Sequence, residues 1–264
     1  MEPQHSDRLS KEADFQNRRV MAKHQGHEEQ RDRFYYLTER AVSDYWSHFS
    51  TIAGKSILVV GCSEGGVTPL ARKGATVIGI DISDAAIEKL NSAIAKEGLE
   101  LRANARVMDA HNLDLPDQSL DIICCSGVLH HLDTERAVSS WASKLKMGGQ
   151  VVMLEPMALN PAISLYRKLT PSMRTEDEHP LLPKDIRIMR KYFGSVLVKG
   201  YVLTSLLSLV WTFLPNIWSM KERSMRVFEA IDDGLLKVFP SLVYFCWTSV
   251  IILSAPGKPD TNNR

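Results

Sequence analysis

From Ser56 onward, short apolar runs alternate with amphipathic stretches, and the runs stop at glycine or at an acidic residue. Ser56–Val60 stops at Gly61, Thr76–Ile80 at Asp81, and Ala105–Met108 at Asp109. Ile122–Cys125 is introduced by Asp121, and Gln150–Leu154 ends at Glu155-Pro156. Short apolar runs of this length, bounded in this way, predict strands. Pro69–Lys73, Ala85–Glu97 and Thr134–Leu145 read as helices between them. Ser83 or Asp84 caps the second, and Gly148-Gly149 gives a C-terminal cap signal for the third. Strands alternating with helices predict parallel βαβ units and a doubly wound α/β sheet.

The flanks follow a different pattern. Residues 1 to about 30 are polar and weakly periodic and read as a loose arm. Arg31–Phe49 has helical character and carries Phe34, Tyr35, Tyr36, Tyr45, Trp46 and Phe49. After Pro156 the alternation breaks. Leu159–Pro183 predicts an irregular segment with one short helix, Lys184–Phe193 a further helix, and Leu197–Val202 and Trp247–Leu253 the last strands. The connection between those strands is far longer than a typical loop. The predicted division is an N-terminal arm and helical cap over 1–50 and one domain over 51–264. Within that domain, 155–200 is a polar segment and 203–245 an apolar helical insertion.

A chain of 264 residues is long enough for one α/β core without covalent staples. Charges nearly cancel, with 32 Lys+Arg against 31 Asp+Glu, so no electrostatic feature points to nucleic acid. Cys62, Cys124, Cys125 and Cys246 show no CxxC pair and no metal-ligand spacing. They read as buried thiols of a reducing compartment, and no metal is expected. The polar N-terminus carries no secretory signal, so the expected location is cytoplasmic.

The chemistry concentrates at the strand ends. The first turn reads Val59-Val60-Gly61-Cys62-Ser63-Glu64-Gly65-Gly66, where glycine permits a tight turn and close approach of a ligand to the main chain. Asp81, about twenty residues on, stands at the next strand tip, where a carboxylate can accept from both hydroxyls of a ribose. So far a nicotinamide dinucleotide fits as well as any other nucleoside. Asp109 ends the third strand, where it can accept from an adenine amino group, and Ser126-Gly127 ends the fourth. One nucleoside-bearing ligand lying across these tips accounts for all of them.

The stretches VVGCSEG, GIDIS, VMDAHNLDLPDQSLDIICCSGVLHHL and LKMGGQVVMLEP resemble the S-adenosylmethionine (SAM) binding core of class I methyltransferases, in the small-molecule group that includes the ubiquinone and menaquinone enzymes. The resemblance covers Lys55 to Glu155. It implies a Rossmann-like, seven-stranded sheet whose last strand is antiparallel, and SAM as cofactor. It also implies that Gly61, Ser63 and Gly65 line the methionine end, that Asp81 with Ile82 holds the ribose, that Asp109 and Ala110 flank the adenine, and that Ser126 borders the site. Ser63 departs from the glycine that many members carry there.

Methyl transfer is an in-line displacement that needs alignment first, and a base where the acceptor is a hydroxyl. His130 and His131, just past the fourth strand tip, and Glu155, at the fifth, are the candidate catalytic groups. A histidine there can equally shape the cofactor pocket or cap a helix, and Glu155 can equally hold the turn at Pro156. The polar stretch running through Tyr166-Arg167 to Arg174 and Glu178-His179 is the expected acceptor-side wall or a salt-bridged surface loop. Arg174, Glu178 and His179 are its candidate contacts, and Tyr36 a further one from the N-terminal helix.

Tyr201–Met220 and Val238–Pro256 contain no charged residue. The second includes a last core strand, which argues against a membrane span. An apolar helix over about Leu203–Leu214 has three readings: a roof over a lipophilic acceptor, a peripheral membrane contact aided by Lys221, Arg223 and Arg226, or a homodimer contact. The expected activity is SAM-dependent methylation of a small lipophilic acceptor. The alternatives are a protein or RNA methyltransferase, a nicotinamide oxidoreductase, and a non-catalytic SAM-binding subunit.

Overall fold

Along the first strand, β1 (Ser56–Val60), four consecutive residues are buried, which only a strand covered on both faces allows. Ile57 and Val59 point into one apolar layer, and Leu58 and Val60 into the other. The computed structural model describes residues 13, 14, 17, 29–62, 66–170, 178–213 and 218–256. In chain order the elements are α1 (Glu29–Ser47), β1, α2 (Val67–Arg72), β2 (Thr76–Asp81), α3 (Asp84–Lys96), β3 (Ala103–Val107), β4 (Leu120–Ser126), α4 (Thr134–Lys144), β5 (Leu145–Pro156), α5 (Pro161–Leu169), α6 (Pro183–Tyr192), β6 (Phe193–Tyr201), α7 (Trp218–Val238) and β7 (Thr248–Pro256).

The seven strands lie in the order β3-β2-β1-β4-β5-β7-β6. β1 to β5 are parallel, and β7 runs antiparallel to both β5 and β6. This is the Rossmann-like sheet with its last strand reversed. Tyr45 of α1 and Phe49 just past its end, with α2 and α3, cover one face. Ala137, Val138 and Trp141 of α4, with Ile186 and Met189 of α6, cover the other. The chain winds from β1 outward to β3, then crosses back to β4. The switch point, where such sheets bind ligands, therefore lies between the tips of β1 and β4.

The structure corrects two expectations. The helix α4 ends at Lys144 rather than at the Gly148-Gly149 pair, because Leu145 already pairs with Leu120. The register then jumps so that Gln150 faces Ile122, and Gly148, at φ 75°, lies in the bulge this creates. The apolar run after Leu203 forms a 3-10 segment, Ser205–Phe213, rather than an α-helix, and the insertion also contains the 21-residue α7. Asp232 of α7 anchors the insertion's root: its carboxylate accepts from the backbone N–H of Leu203, Thr204 and Ser205 and from the hydroxyls of Thr204 and Ser205. Among the described residues, no helix is long and apolar enough to cross a membrane.

β6 runs in the direction of the parallel strands and β7 returns against them. Residues 202–247 therefore leave and re-enter the sheet at the same edge as the strand tips that carry Gly61, Asp81 and Ser126. There Val202 and Met225 pack with Leu37 of α1, and Tyr36, Tyr201, Leu206, Leu209 and Trp247 close around them.

Candidate functional site

At the tip of β1, Gly61 has φ 71° and donates its N–H to the Ile80 carbonyl at 2.9 Å. A Cβ on this residue would lie 2.3 Å from Val128 Cγ2, so glycine is required both for the turn and for the approach of the β4 loop. At the tip of β2, Asp81 is buried, and its Oδ1 accepts from the Ser83 N–H at 3.0 Å. Ser83 caps α3 by accepting from the Ala86 N–H, and donates its hydroxyl to Asn17 of the N-terminal arm. At the tip of β3, Asp109 Oδ1 accepts from both the backbone N–H of His111 (2.9 Å) and its ring Nδ1 (2.7 Å). His111 Nε2 in turn accepts from the Asp133 N–H at 2.9 Å, which places the ring proton on Nδ1. Ala110 is buried, and its carbonyl accepts from Trp141 Nε1.

Across the switch point the fourth and fifth strand tips meet. Glu155 is fully buried. Its Oε1 accepts from the backbone N–H groups of Val128 (2.9 Å) and Leu129 (2.8 Å), and its Oε2 lies 2.8 Å from His130 Nδ1. Burial pushes the Glu155 carboxyl up, but the His130 contact and the two backbone donors outweigh it and hold the group below the usual range. An ionised carboxylate at Nδ1 fixes the proton there and leaves the lone pair on Nε2. His130 Nε2 faces Glu178 Oε1 at 3.8 Å, and that oxygen also pairs with Arg167 at 2.7 Å.

The neighbouring polar segment is stitched to the β5 exit. His179 N–H donates to the His130 carbonyl, Leu181 N–H to that of Pro156, and Ala158 N–H to that of Leu181. This docking brings Glu178 beside His130 although 47 residues separate them. His131 follows on the same short 3-10 turn, its ring centroid 4.2 Å from that of His130.

Residues 58–153 match the family model described as a methyltransferase domain. Over 103 residues the chain is 33% identical to a ubiquinone biosynthesis O-methyltransferase of Coxiella burnetii, covering 38% of this chain and 43% of that one. It is 32% identical over 106 residues to a phosphatidylethanolamine N-methyltransferase of Cereibacter sphaeroides, covering 40% and 52%. In fold it is similar to the geranyl diphosphate C-methyltransferase of Streptomyces coelicolor, with TM-score 0.56 and 12% identity, covering 83% of this chain and 78% of that one. The chain carries a methyltransferase domain over residues 58–153. It spans about half or less of the length of the two curated relatives.

The donor set of the methyltransferase domain fits its cofactor SAM. A buried carboxylate at one strand tip suits a ribose diol, and an oriented carboxylate at the next suits an adenine amino group. Of the residues singled out in sequence, Gly61, Asp81, Ile82, Asp109, Ala110 and Ser126 lie at or just past the tips of β1 to β4, and Glu155, His130, His131, Glu178 and His179 come together beyond them. Ser63, Gly65 and Arg174 lie outside the described residues. Tyr36 stands elsewhere, in the apolar cluster under the insertion, its hydroxyl 3.5 Å from that of Ser208. His111 of this candidate site escaped sequence reasoning, and Arg167, named only as part of the polar stretch, was not read as the partner of Glu178, which lies beyond a helix end. His111 stands two places after Asp109, a spacing that itself signals a side-chain contact onto that carboxylate.

Proposed function

We propose that this chain transfers a methyl group from SAM to a small, lipophilic acceptor bound between the strand tips and the insertion 202–247. The observation that carries this reading is the pairing of two facilities across one switch point. Asp81 and Asp109 stand on the nucleoside side, and the Glu155–His130 pair, beneath an apolar insertion, on the other. When bound, SAM supplies an electrophilic methyl group on a sulfonium centre. Gly61, Ser63 and Gly65 border its methionine end, Asp81 and Ile82 hold the ribose, Asp109 and Ala110 hold the adenine, and Ser126 closes the edge.

His111 locks Asp109 in place, and Glu155, which is sealed from solvent, positions His130 rather than touching the acceptor. The His130 Nε2 lone pair faces the acceptor and can draw the proton from a hydroxyl. Glu178 and His179 form the polar wall, with His131 beside it. Val202, Leu206, Leu209 and Trp247 form the apolar roof. The relatives' names, which cite ubiquinone, phosphatidylethanolamine and geranyl diphosphate, support a lipophilic acceptor. They span O-, N- and C-methylation, so the acceptor atom is not inherited from them.

Calorimetry should show S-adenosylhomocysteine binding and no heat with NAD; binding of NAD alone would refute the cofactor assignment. Turnover on a panel of lipophilic phenols, amines and prenyl compounds then tests catalysis. Methylation of peptides or RNA but of none of the small molecules would replace the acceptor class. Cofactor binding with no turnover on any of them would make the chain a binding subunit.

The outer side of the insertion supports a peripheral membrane contact, through which a lipophilic acceptor would reach the roof. Leu207 is 63% exposed, Val210 54% and Val227 58%, and Arg223 and Arg226 are exposed on the same helix as Val227. Apolar burial would supply affinity, and the two arginines an attraction to anionic headgroups that salt weakens. The protein should sediment with anionic vesicles, less so in high salt, and Leu207→Glu with Val210→Glu should abolish sedimentation while leaving S-adenosylhomocysteine binding intact. A protein that stays in the supernatant as a stable dimer would assign this face to self-association.

A further inference from the structure

We infer that His130, His131 and Glu178 form a site for one first-row divalent cation, zinc the best match, on the acceptor side. This rests on the reading of that face as the acceptor side. The three side chains each offer one donor atom, and these atoms all lie within 4.8 Å of one another. Ligand bonds to zinc run about 2.0–2.2 Å, so two donors on one ion stand up to about 4 Å apart. His130 Nε2 and Glu178 Oε1, at 3.8 Å, already fall inside that limit. A contraction of under an ångström, within reach of side-chain torsions, brings in the third.

The surroundings match what a metal-binding histidine needs. The far nitrogen of His130 is held by a buried carboxylate at 2.8 Å, which fixes the ring and keeps Nε2 as the donor. Two imidazoles with one carboxylate favour zinc, manganese or iron over magnesium or calcium, which prefer all-oxygen sets. Three protein ligands leave a coordination position open for an acceptor oxygen.

Arg167, 2.7 Å from Glu178 Oε1, is the built-in competitor, so the carboxylate must share its oxygens between cation and guanidinium. The cysteines compete weakly. All four are buried, and burial raises the thiols of Cys62, Cys124 and Cys246 to about 12.

The test uses the full, untagged, metal-stripped chain titrated with Zn²⁺ by calorimetry, and with Co²⁺ by visible absorption. One ion per chain is expected, with a Co²⁺ ligand-field band. Glu178→Gln and His131→Gln should each weaken Zn²⁺ binding at least tenfold while S-adenosylhomocysteine affinity stays unchanged, which also shows that the variants are folded. Absence of saturable Zn²⁺ binding, or binding unaffected by both substitutions, overturns the site and leaves His130 as the direct proton acceptor. The proposed methyl transfer survives that result, because it fails only if S-adenosylhomocysteine does not bind or no acceptor is methylated.

Discussion

Replacing Glu155 with glutamine should leave a folded protein that binds SAM and methylates hydroxyl acceptors about 10²–10⁴-fold more slowly, the range for a lost proton-transfer group. The amide oxygen can still accept from the Val128 and Leu129 N–H groups. The amide NH₂ then faces His130 Nδ1. That nitrogen must become the acceptor, the ring proton moves to Nε2, and the lone pair on the acceptor side disappears. The cost in stability is that of one charge-assisted hydrogen bond, about 1.5–3 kcal/mol. Glu155→Leu is harsher. It strands two backbone donors and the Nδ1–H in a fully buried place, and should cost about 3–5 kcal/mol, a large share of the 5–15 kcal/mol typical of a domain. Urea unfolding, S-adenosylhomocysteine calorimetry and single-turnover kinetics separate the two variants. Unimpaired turnover in Glu155→Gln would show that the Nε2 lone pair is not used.

Replacing Asp81 with alanine should weaken S-adenosylhomocysteine binding by about 1.5–3 kcal/mol, on the order of ten- to a hundredfold in Kd. The residue is buried at a strand tip, not in the packed layers, so the sheet should survive. Within the protein it accepts from the Ser83 N–H, next to the cap of α3. Asp81→Asn keeps an oxygen for that duty and loses the charge, and should fall between wild type and alanine in affinity with almost unchanged unfolding. Equal affinity in all three proteins would remove Asp81 from the ribose site.

The strands and turns that carry the candidate cofactor residues were legible in the sequence because each element announces itself locally. β1 runs from Ser56 to Val60 as its apolar run and Gly61 indicate, and of the two caps the sequence offered for α3, Ser83 and Asp84, the structure uses Ser83. β3 was harder to delimit. It is an edge strand with Asn104 and Arg106 exposed, so its first two residues carry no continuous apolar signal. The glycine pair after α4 misled because glycine serves a bulge as well as a helix end, and only pairing with β4 distinguishes them. The acceptor half was legible as a set of residues but not as a geometry. Nothing local says that Glu155 turns inward onto His130, or that the segment from Glu178 to Leu181 docks along Pro156–Ala158. α7 was overlooked because its apolar positions are interleaved with charges, and its buried Asp232 looks in sequence like one more surface acid.

The reversed strand β7 has a consequence for how this enzyme class can change its substrate. Because β6 ends and β7 begins at the same rim, everything between Val202 and Trp247 is a single excursion whose two ends stay fixed in the sheet. Loop closure depends only weakly on length, about 0.6 kcal/mol for each doubling. The excursion can therefore be shortened, lengthened or exchanged without disturbing the register of the strands that carry Gly61, Asp81 and Asp109. Under the proposed function, selection can thus act on the two sides of the crevice almost independently, with one stretch of chain keeping the strand tips and another free to change. The match to the family model spans 58–153 and ends before the excursion begins, a boundary that an engineer could also use as a graft point.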